Sequence, residues 1–542
     1  MNAATVNDTL TQLTAGLAAA GPLALLLFGC LPAARMNRHA RKTARTGAAL
    51  ALTAFGLALG AAVALTFSGP ADVALTLAGP AELGIHFDTL SAIVLVLVAF
   101  LLAVVTRFSI NYLAGDPAQG RFTKWLSLTG GSVLMLVISG NLLQFALAWI
   151  ATSLSLHQLL VFYPHRPGAV LAARKKFLIS RLGDLGLLAV LVLVHREFHT
   201  WRFSELFAAA GQIRTAHGAG MGSAIGLIAI LLVAAAMMKS AQFPFHSWLP
   251  DTMETPTPVS ALMHAGIINA GGFLIIRLNP LVTLSPGAMS TLALFGAFTA
   301  LFASLVMLTH ASVKRSLAFS TVAQMGFMML ECGLGAFSLA VLHLVAHSLY
   351  KAHAFLTSGS IVNLAKSAWT PTGRPRAHPV TLGASFALAI LLAVGLGRLF
   401  GVEFGRDPGL LVLGCAFTMA LAYALWNLWC HTLNFKLAAL GAGLGAGIVT
   451  AYYSLHRVFA RLLGEPAWTN SQLLSWPGVV LVGTLLGLFL LVLVIQTGLP
   501  QWSNRPWLRA VYVHARNGFY FNTLANRCVT ALWPVKPQLS KN

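Results

Sequence analysis

Three basic residues stand on one line in the stretch VLHLVAHSLYKAHAFLTSGS: His343, His347 and Lys351. Spaced i, i+4 and i+8, they drift only about 80° around a helix of 3.6 residues per turn, so they share one face and follow each other about 6 Å apart along the axis. Histidine titrates close to neutral pH, and a desolvated lysine can be brought towards that range. A column of such groups is what stepwise proton movement requires. A second set lies upstream in MKSAQFPFHSWLPDTMETPTPVSALMH, where Lys239 follows at least a dozen apolar residues and His264 sits on the next apolar run. Between them Pro244, Pro250, Pro256 and Pro258 forbid a continuous helix.

Other chemistries fit the same residues less well. A lone intramembrane histidine ordinarily hydrogen-bonds a neighbouring helix, which suffices for His157 or His310. A zinc reading of the H-x-x-x-H pair needs a third ligand and lacks the Glu of H-E-x-x-H. A di-iron membrane oxygenase would want several clustered histidine boxes, and none is present. A lysine at a helix end snorkels to the interface, but Lys239 has AQFPF after it and no short path to water. Prolines beside Ser240 mark a discontinuous helix, the device that places backbone dipoles at mid-membrane.

The elements that position these groups follow from composition. Of 542 residues, 57% are hydrophobic and 9% charged, which indicates a polytopic membrane protein. Apolar runs long enough to cross about 30 Å of hydrocarbon as a helix recur about fifteen times. They are far longer than barrel strands, so the expected fold is all-α. The net charge of +21 brings nucleic acid to mind, yet basic residues in such a chain first report orientation. Arg35 to Arg45, Arg166 to Lys176, Lys366 to Arg376 and the tail with Arg505, Arg509, Arg516 and Lys541 fall on one side in a fifteen-span count. The positive-inside rule places the C-terminus in the cytoplasm and the N-terminus outside, so nucleic-acid binding is the weaker explanation. The first run, lacking a basic leader and a cleavage site, reads as a retained span. Five scattered cysteines without C-x-x-C indicate neither a disulfide framework nor a thiolate metal site.

Four regions follow: N-terminal helices over 1–121, a core carrying the titratable groups over 122–433, further helices over 434–501, and an interfacial or docking tail over 502–542 that mixes aromatic and basic residues. In the core, Arg181 and Asp184 of RLGD lie three apart on one face and can pair where either charge alone would be expensive. Asp88, opening the third span, reads as an acidic helix cap. Glu197 to Gly220 reads as a polar external connection.

The stretches RLGD, KSAQFPFHSWLPDTMETPTPVSALMHA, VKRSLAFSTVAQMGFM with Lys314, and HLVAHSLYKAHAFLTSGS resemble the antiporter-like membrane subunits of respiratory complex I and of multisubunit sodium/proton antiporters. That resemblance covers roughly Asp88 to Ser360. It implies two inverted five-helix repeats around broken helices, and a proton relay through Asp184, Lys239, His264, Lys314, His343, His347 and Lys351; Arg181 and His157 are further candidates. There are two departures. Such subunits usually place a Glu after the Trp of the fifth span, paired with the buried lysine, whereas Ile150 follows Trp149 here. Their second broken-helix lysine has only Arg406 or Lys436 as counterparts, and an arginine does not deprotonate in proteins.

The tail WLRAVYVHARNGFYFNTLANRCVTALWP resembles the ending of the membrane subunit of DAB-type inorganic carbon accumulation systems. The resemblance implies a cytoplasmic, zinc-bearing, carbonic-anhydrase-like partner, no cofactor on this chain, an inner-membrane location, and proton or cation conduction that drives CO2 hydration by the partner. The alternatives it leaves are a subunit of a respiratory quinone oxidoreductase, a related hydrogenase or a Na+/H+ antiporter, with other membrane subunits as partners. A membrane enzyme holding a metal on the histidines is a third reading.

Overall fold

The computed structural model describes residues 3–76, 82–217, 223–359, 379–402, 408–429, 435–464, 475–502 and 505–534. Arg406, Lys541 and the basic stretch from Lys366 to Arg376 lie outside the described residues.

Each apolar run forms a helix, since only a helix satisfies its backbone within one segment inside lipid. The N-terminal part comprises α1 (Ala3–Gly29), the short α2 (Ala33–Arg38), α3 (Ala40–Ser68) and α4 (Thr89–Tyr112). Between α3 and α4 the expected external loop forms a hairpin of β1 (Ala71–Thr76) and β2 (Glu82–Phe87), antiparallel with Ala71 opposite Phe87. The core continues with α5 (Gln119–Val137), α6 (Leu142–Leu160), α7 (Pro167–Phe198), α8 (Phe203–His217) and α9 (Ser223–Lys239). The polar connection after Glu197 thus contains a helix, α8, of its own.

Next come α10 (Thr257–Ala265), α11 (Ala270–Arg277), α12 (Asn279–Val282), α13 (Pro286–Met307), α14 (Val313–Gly333) and α15 (Phe337–Leu356). The remainder is α16 (Pro379–Leu399), α17 (Pro408–Trp429), α18 (Phe435–Leu463), α19 (Trp476–Trp502), α20 (Pro506–Arg516) and α21 (Phe521–Leu532). Twelve helices among the described residues are long and apolar enough to span, α10 and α11 counting as one. The other three of the fifteen runs are α9, too short at 17 residues, and α5 and α14, whose polar residues lower their hydropathy.

Among the described residues, the basic segments around Arg35 to Arg45 and Arg166 to Lys176 gather on one face. Asn37 accepts from the Arg121 backbone, Arg121 reaches the Phe162 carbonyl, and Arg166 reaches the Glu254 carbonyl. Arg174 donates to the Trp533 carbonyl, which fastens the tail to the same face. The hairpin lies at the opposite ends of these helices, where Asn141 donates to the Glu82 carbonyl. Asp88 caps α4 through the Ser91 backbone as expected, and it also holds Arg277 at 2.7 and 3.0 Å, which ties α4 to the end of α11. Burial alone would raise its pKa, but the Arg277 guanidinium, with His86 3.6 Å away, overrides this and keeps the carboxyl well below its ordinary value.

The prolines act where the chain demands it. α9 stops at Lys239, Ala241 takes a left-handed φ of 49°, and 3-10 turns cover Phe245–Trp248 and Pro250–Glu254 before α10 starts. A second interruption at Gly266 and Ile267–Asn269 separates α10 from α11. These two breaks meet. Ser240 donates to the Ile268 carbonyl at 2.7 Å, so the first break supplies a carbonyl of the second with a donor that its interrupted helix does not provide. Gly271 permits the approach: a Cβ there would stand 2.4 Å from the Ala236 oxygen.

Candidate functional site

At the end of α9 the Lys239 ammonium is buried at 6% exposure. Its nitrogen donates to the Trp149 carbonyl at 3.2 Å and lies 4.2 Å from the centre of the Trp149 ring. The place vacated by the missing acid at Ile150 is therefore served by a backbone dipole and an aromatic face, both of which favour a cation. Arg181 and Asp184 form the expected ion pair, at 2.6 Å. Asp184 is within electrostatic reach of Lys239, and Gly183 brings α7 against Met238 of α9.

By charge alone, the run from Arg166 to Lys176 reads as a basic loop between spans. The structure corrects this, because α7 begins at Pro167 and carries Lys175 and Lys176 inward, at 1% and 2% exposure. Lys176 donates to the Ser153 carbonyl and hydroxyl at 2.7 and 2.8 Å and lies within electrostatic reach of Lys239. Lys175 pairs with Asp251 and donates to Asn522 of α21 at 2.6 Å.

The second cluster is built on α10, α14 and α15. His264 is fully buried, its Nδ1 3.1 Å from the Thr321 hydroxyl and its ring stacked on Phe355 at 4.3 Å. Lys351, also fully buried, donates to the Leu317 carbonyl at 3.1 Å and to the Ser320 hydroxyl. The i, i+4 spacing holds on α15: the His343 and His347 rings stand 6.1 Å apart, and both nitrogens of the buried His347 lack a hydrogen-bond partner among the described residues. His343 Nδ1 is 2.9 Å from Glu331 of α14, a residue the sequence reading passed over. A lone acid in the apolar run FMMLECG was the signal that could have found it.

The two clusters join at the meeting of the breaks. Asn269, in the gap between α10 and α11, donates to Ser348 of α15 at 2.8 Å, and Ser240, next to Lys239, is bonded to its neighbour Ile268. Polar groups thus run from Lys176 and Lys239 through Ser240, Asn269 and Ser348 to His264, Lys351, His347, His343 and Glu331.

Other candidates flank these clusters, His157 within electrostatic reach of Lys176 and Arg181. Lys314 is half-buried at the start of α14 and donates to Thr257 at 3.2 Å. His157 packs on Phe177 at 5.3 Å, and Lys436 is exposed at the start of α18. No group of three or more His, Cys, Asp or Glu with metal-binding geometry occurs among the described residues.

Comparison with known proteins adds relatives. The family described as "NADH:quinone oxidoreductase/Mrp antiporter, TM" matches residues 139–372, and the N-terminal family of complex I chain 5 matches residues 77–123. "Probable inorganic carbon transporter subunit DabB2" of Halothiobacillus neapolitanus is 37% identical over 525 residues, 95% of this chain and 93% of its own length. "Probable inorganic carbon transporter subunit DabB" of Hydrogenovibrio crunogenus is 37% identical over 449 residues, 82% of this chain and 83% of its own. NADH-quinone oxidoreductase subunit L of Mycobacterium tuberculosis is 33% identical over 411 residues, 73% of this chain and 61% of its own. Among solved structures, a chain of an archaeal membrane-bound sulfane sulfur reductase superposes with a TM-score of 0.58 at 18% identity, over 95% of this chain and 100% of that one. This last likeness concerns the fold.

Proposed function

As this chain belongs to the NADH:quinone oxidoreductase/Mrp antiporter family, and within it to the group of the DabB inorganic carbon transporter subunits, we propose that it conducts protons for an energy-coupled inorganic carbon uptake complex. The observation that supports this reading is the succession of buried protonatable groups, with hydroxyls and an amide between them, that lies along two broken helices. An apolar core has no other reason to bear the cost of several buried ionisable side chains, each expensive unless paired or in use.

Each group has a part. Lys239 takes up a proton where the Trp149 carbonyl and ring receive its charge. Lys176 and Lys239 are two ammonium groups within mutual reach, so a charge arriving on one repels a charge on the other. Ser240, Asn269 and Ser348 reorient hydrogen bonds without holding charge, and His264, Lys351, His347 and His343 hand the proton along. Arg181 fixes Asp184 and cannot relay, because a guanidinium keeps its protons. A soluble zinc-bearing partner resembling a carbonic anhydrase would use the gradient to hydrate CO2 in one direction. The tail, with Arg505, Arg509 and Arg516 beside exposed Trp507 and Tyr512, offers it a landing face on the side of the other basic segments.

The test is inorganic carbon uptake by cells expressing the assembled complex with Lys239→Ala or Lys351→Ala. Uptake is expected to vanish while the complex still purifies intact with a zinc-containing soluble subunit. Full uptake in both variants, or co-purification with iron–sulfur and quinone-binding subunits instead, overturns the reading.

A further inference from the structure

We propose that Glu331 is the end of the relay and exchanges its proton with water in the cavity that its carboxylate lines. The proposal rests on the relay reading above and extends it to a residue outside the sequence pattern.

The cavity lies between α13, α14, α17, α18 and α19 and has a volume of about 480 Å³. Its wall is largely apolar, but Glu331, Gln324, Ser304, Gln496, Tyr423 and Tyr452 set polar groups into it. An apolar void stays dry, whereas a cavity of this size with several hydrogen-bonding side chains has the room and the partners to take water. Glu331 stands between this space and the relay. Its side chain is 8% exposed, and one carboxylate oxygen is 2.9 Å from Nδ1 of His343. Behind His343 come His347 and Lys351 on the same face of α15. The cavity continues away from Glu331 past Gln324 to Ser304 and Gln496, which also line the neighbouring apolar pocket that reaches Phe519 and Phe521 of the tail.

A carboxylate buried against a single histidine also fits a humbler part, that of holding the imidazole in one orientation. The two parts differ in what glutamine does. In Glu331→Gln the side-chain amide carbonyl still accepts a hydrogen bond from His343 but takes up no proton. A positioning residue survives that exchange, and a terminal proton acceptor does not.

The experiment is proton flux through the assembled complex reconstituted in vesicles, followed with an entrapped pH-sensitive dye. Glu331→Gln is expected to lower flux roughly 10²-fold, the loss typical of removing a positioned acid–base group. Glu331→Asp, which keeps the acid, is expected to restore most of it. Ala420→Trp is the companion: Ala420 is exposed on the cavity wall, so the ring fills the cavity without entering packed core. It is expected to lower flux with Glu331 intact, and it decides the matter if Glu331→Gln fails to assemble. Wild-type flux in Glu331→Gln or in Ala420→Trp overturns the proposal. If those two variants conduct fully while Lys351→Ala is dead, the relay stands and only its terminus is wrong; full flux in Lys351→Ala removes the relay itself.

Discussion

Gly271→Ala probes the seam where the two helix breaks meet. An alanine Cβ would lie 2.4 Å from both the Ala236 oxygen and the Ser240 hydroxyl, where contacts under 3.0 Å are essentially never tolerated. Helices α11 and α9 must therefore part by about 0.6 to 1 Å, or Ser240 must turn away; either movement breaks its 2.7 Å bond to the Ile268 carbonyl. Overpacking of this kind costs about 1–3 kcal/mol, and the lost buried hydrogen bond adds about 1 kcal/mol. Alanine returns up to about 1 kcal/mol of helix propensity, which leaves a net loss of about 1–3 kcal/mol. The functional loss is expected to be larger, because a misplacement near 1 Å costs on the order of 10²-fold in steps that depend on alignment. The assay is thermal inactivation of the purified complex in detergent together with proton flux in vesicles. Gly226→Ala is the control, since it lies in α9 with open space within 4 Å, and it should be neutral or slightly stabilising. A Gly271→Ala protein as stable and as conductive as wild type would refute the seam.

Two further outcomes concern the ion pairs at the ends of the core. Asp88→Asn keeps the cap of α4 but leaves Arg277, whose side chain is 3% exposed, without its partner; it should cost about 3–5 kcal/mol in thermal stability, and Asp88→Ala about 1 kcal/mol more. Because the Asp88 pKa is depressed in the folded protein, the stability it contributes is present above the unfolded carboxyl pKa and is lost as pH falls through the lower folded one. The gap between wild type and Asp88→Asn should therefore be open above about pH 5 and close only below about pH 4; a gap already closed at about pH 5 contradicts the pair. At the other face, Asp251→Asn strands Lys175, whose side chain has no exposed surface. The double variant Lys175→Met with Asp251→Asn should be more stable than Asp251→Asn alone, and additive losses in that cycle would show the two residues to be uncoupled.

Much of the site was legible in residue types and spacing. His343, His347 and Lys351 form the expected column because helical periodicity is a local property, and Arg181 meets Asp184 for the same reason. Lys239 is buried because the apolar run before it is too long to end elsewhere and the prolines after it forbid a continuous helix. Other features carried misleading signals. Lys176 looked like a loop charge because a row of basic residues reads as solvated until a helix start is seen upstream, and Asp88 looked like a cap alone because its second partner, Arg277, is far away in sequence. Asn269 and Ser348 gave no sign of joining the clusters, since amides and hydroxyls recur throughout such a chain.

The sequence by itself determined that the chain crosses a membrane as helices, that the run ending at Lys239 cannot continue as one helix, and which protonatable groups share a helix face, since hydropathy, proline and the 3.6-residue period all act locally. Tertiary structure alone decided what stands opposite those groups. The Trp149 carbonyl that receives Lys239 carries no sequence signature, because every residue has one. The Ser240 bond that joins the two breaks, and the meeting of Glu331 with His343 beside a cavity, exist only where separate helices pack. Periodicity places groups on one helix; packing alone says which groups on another helix they meet.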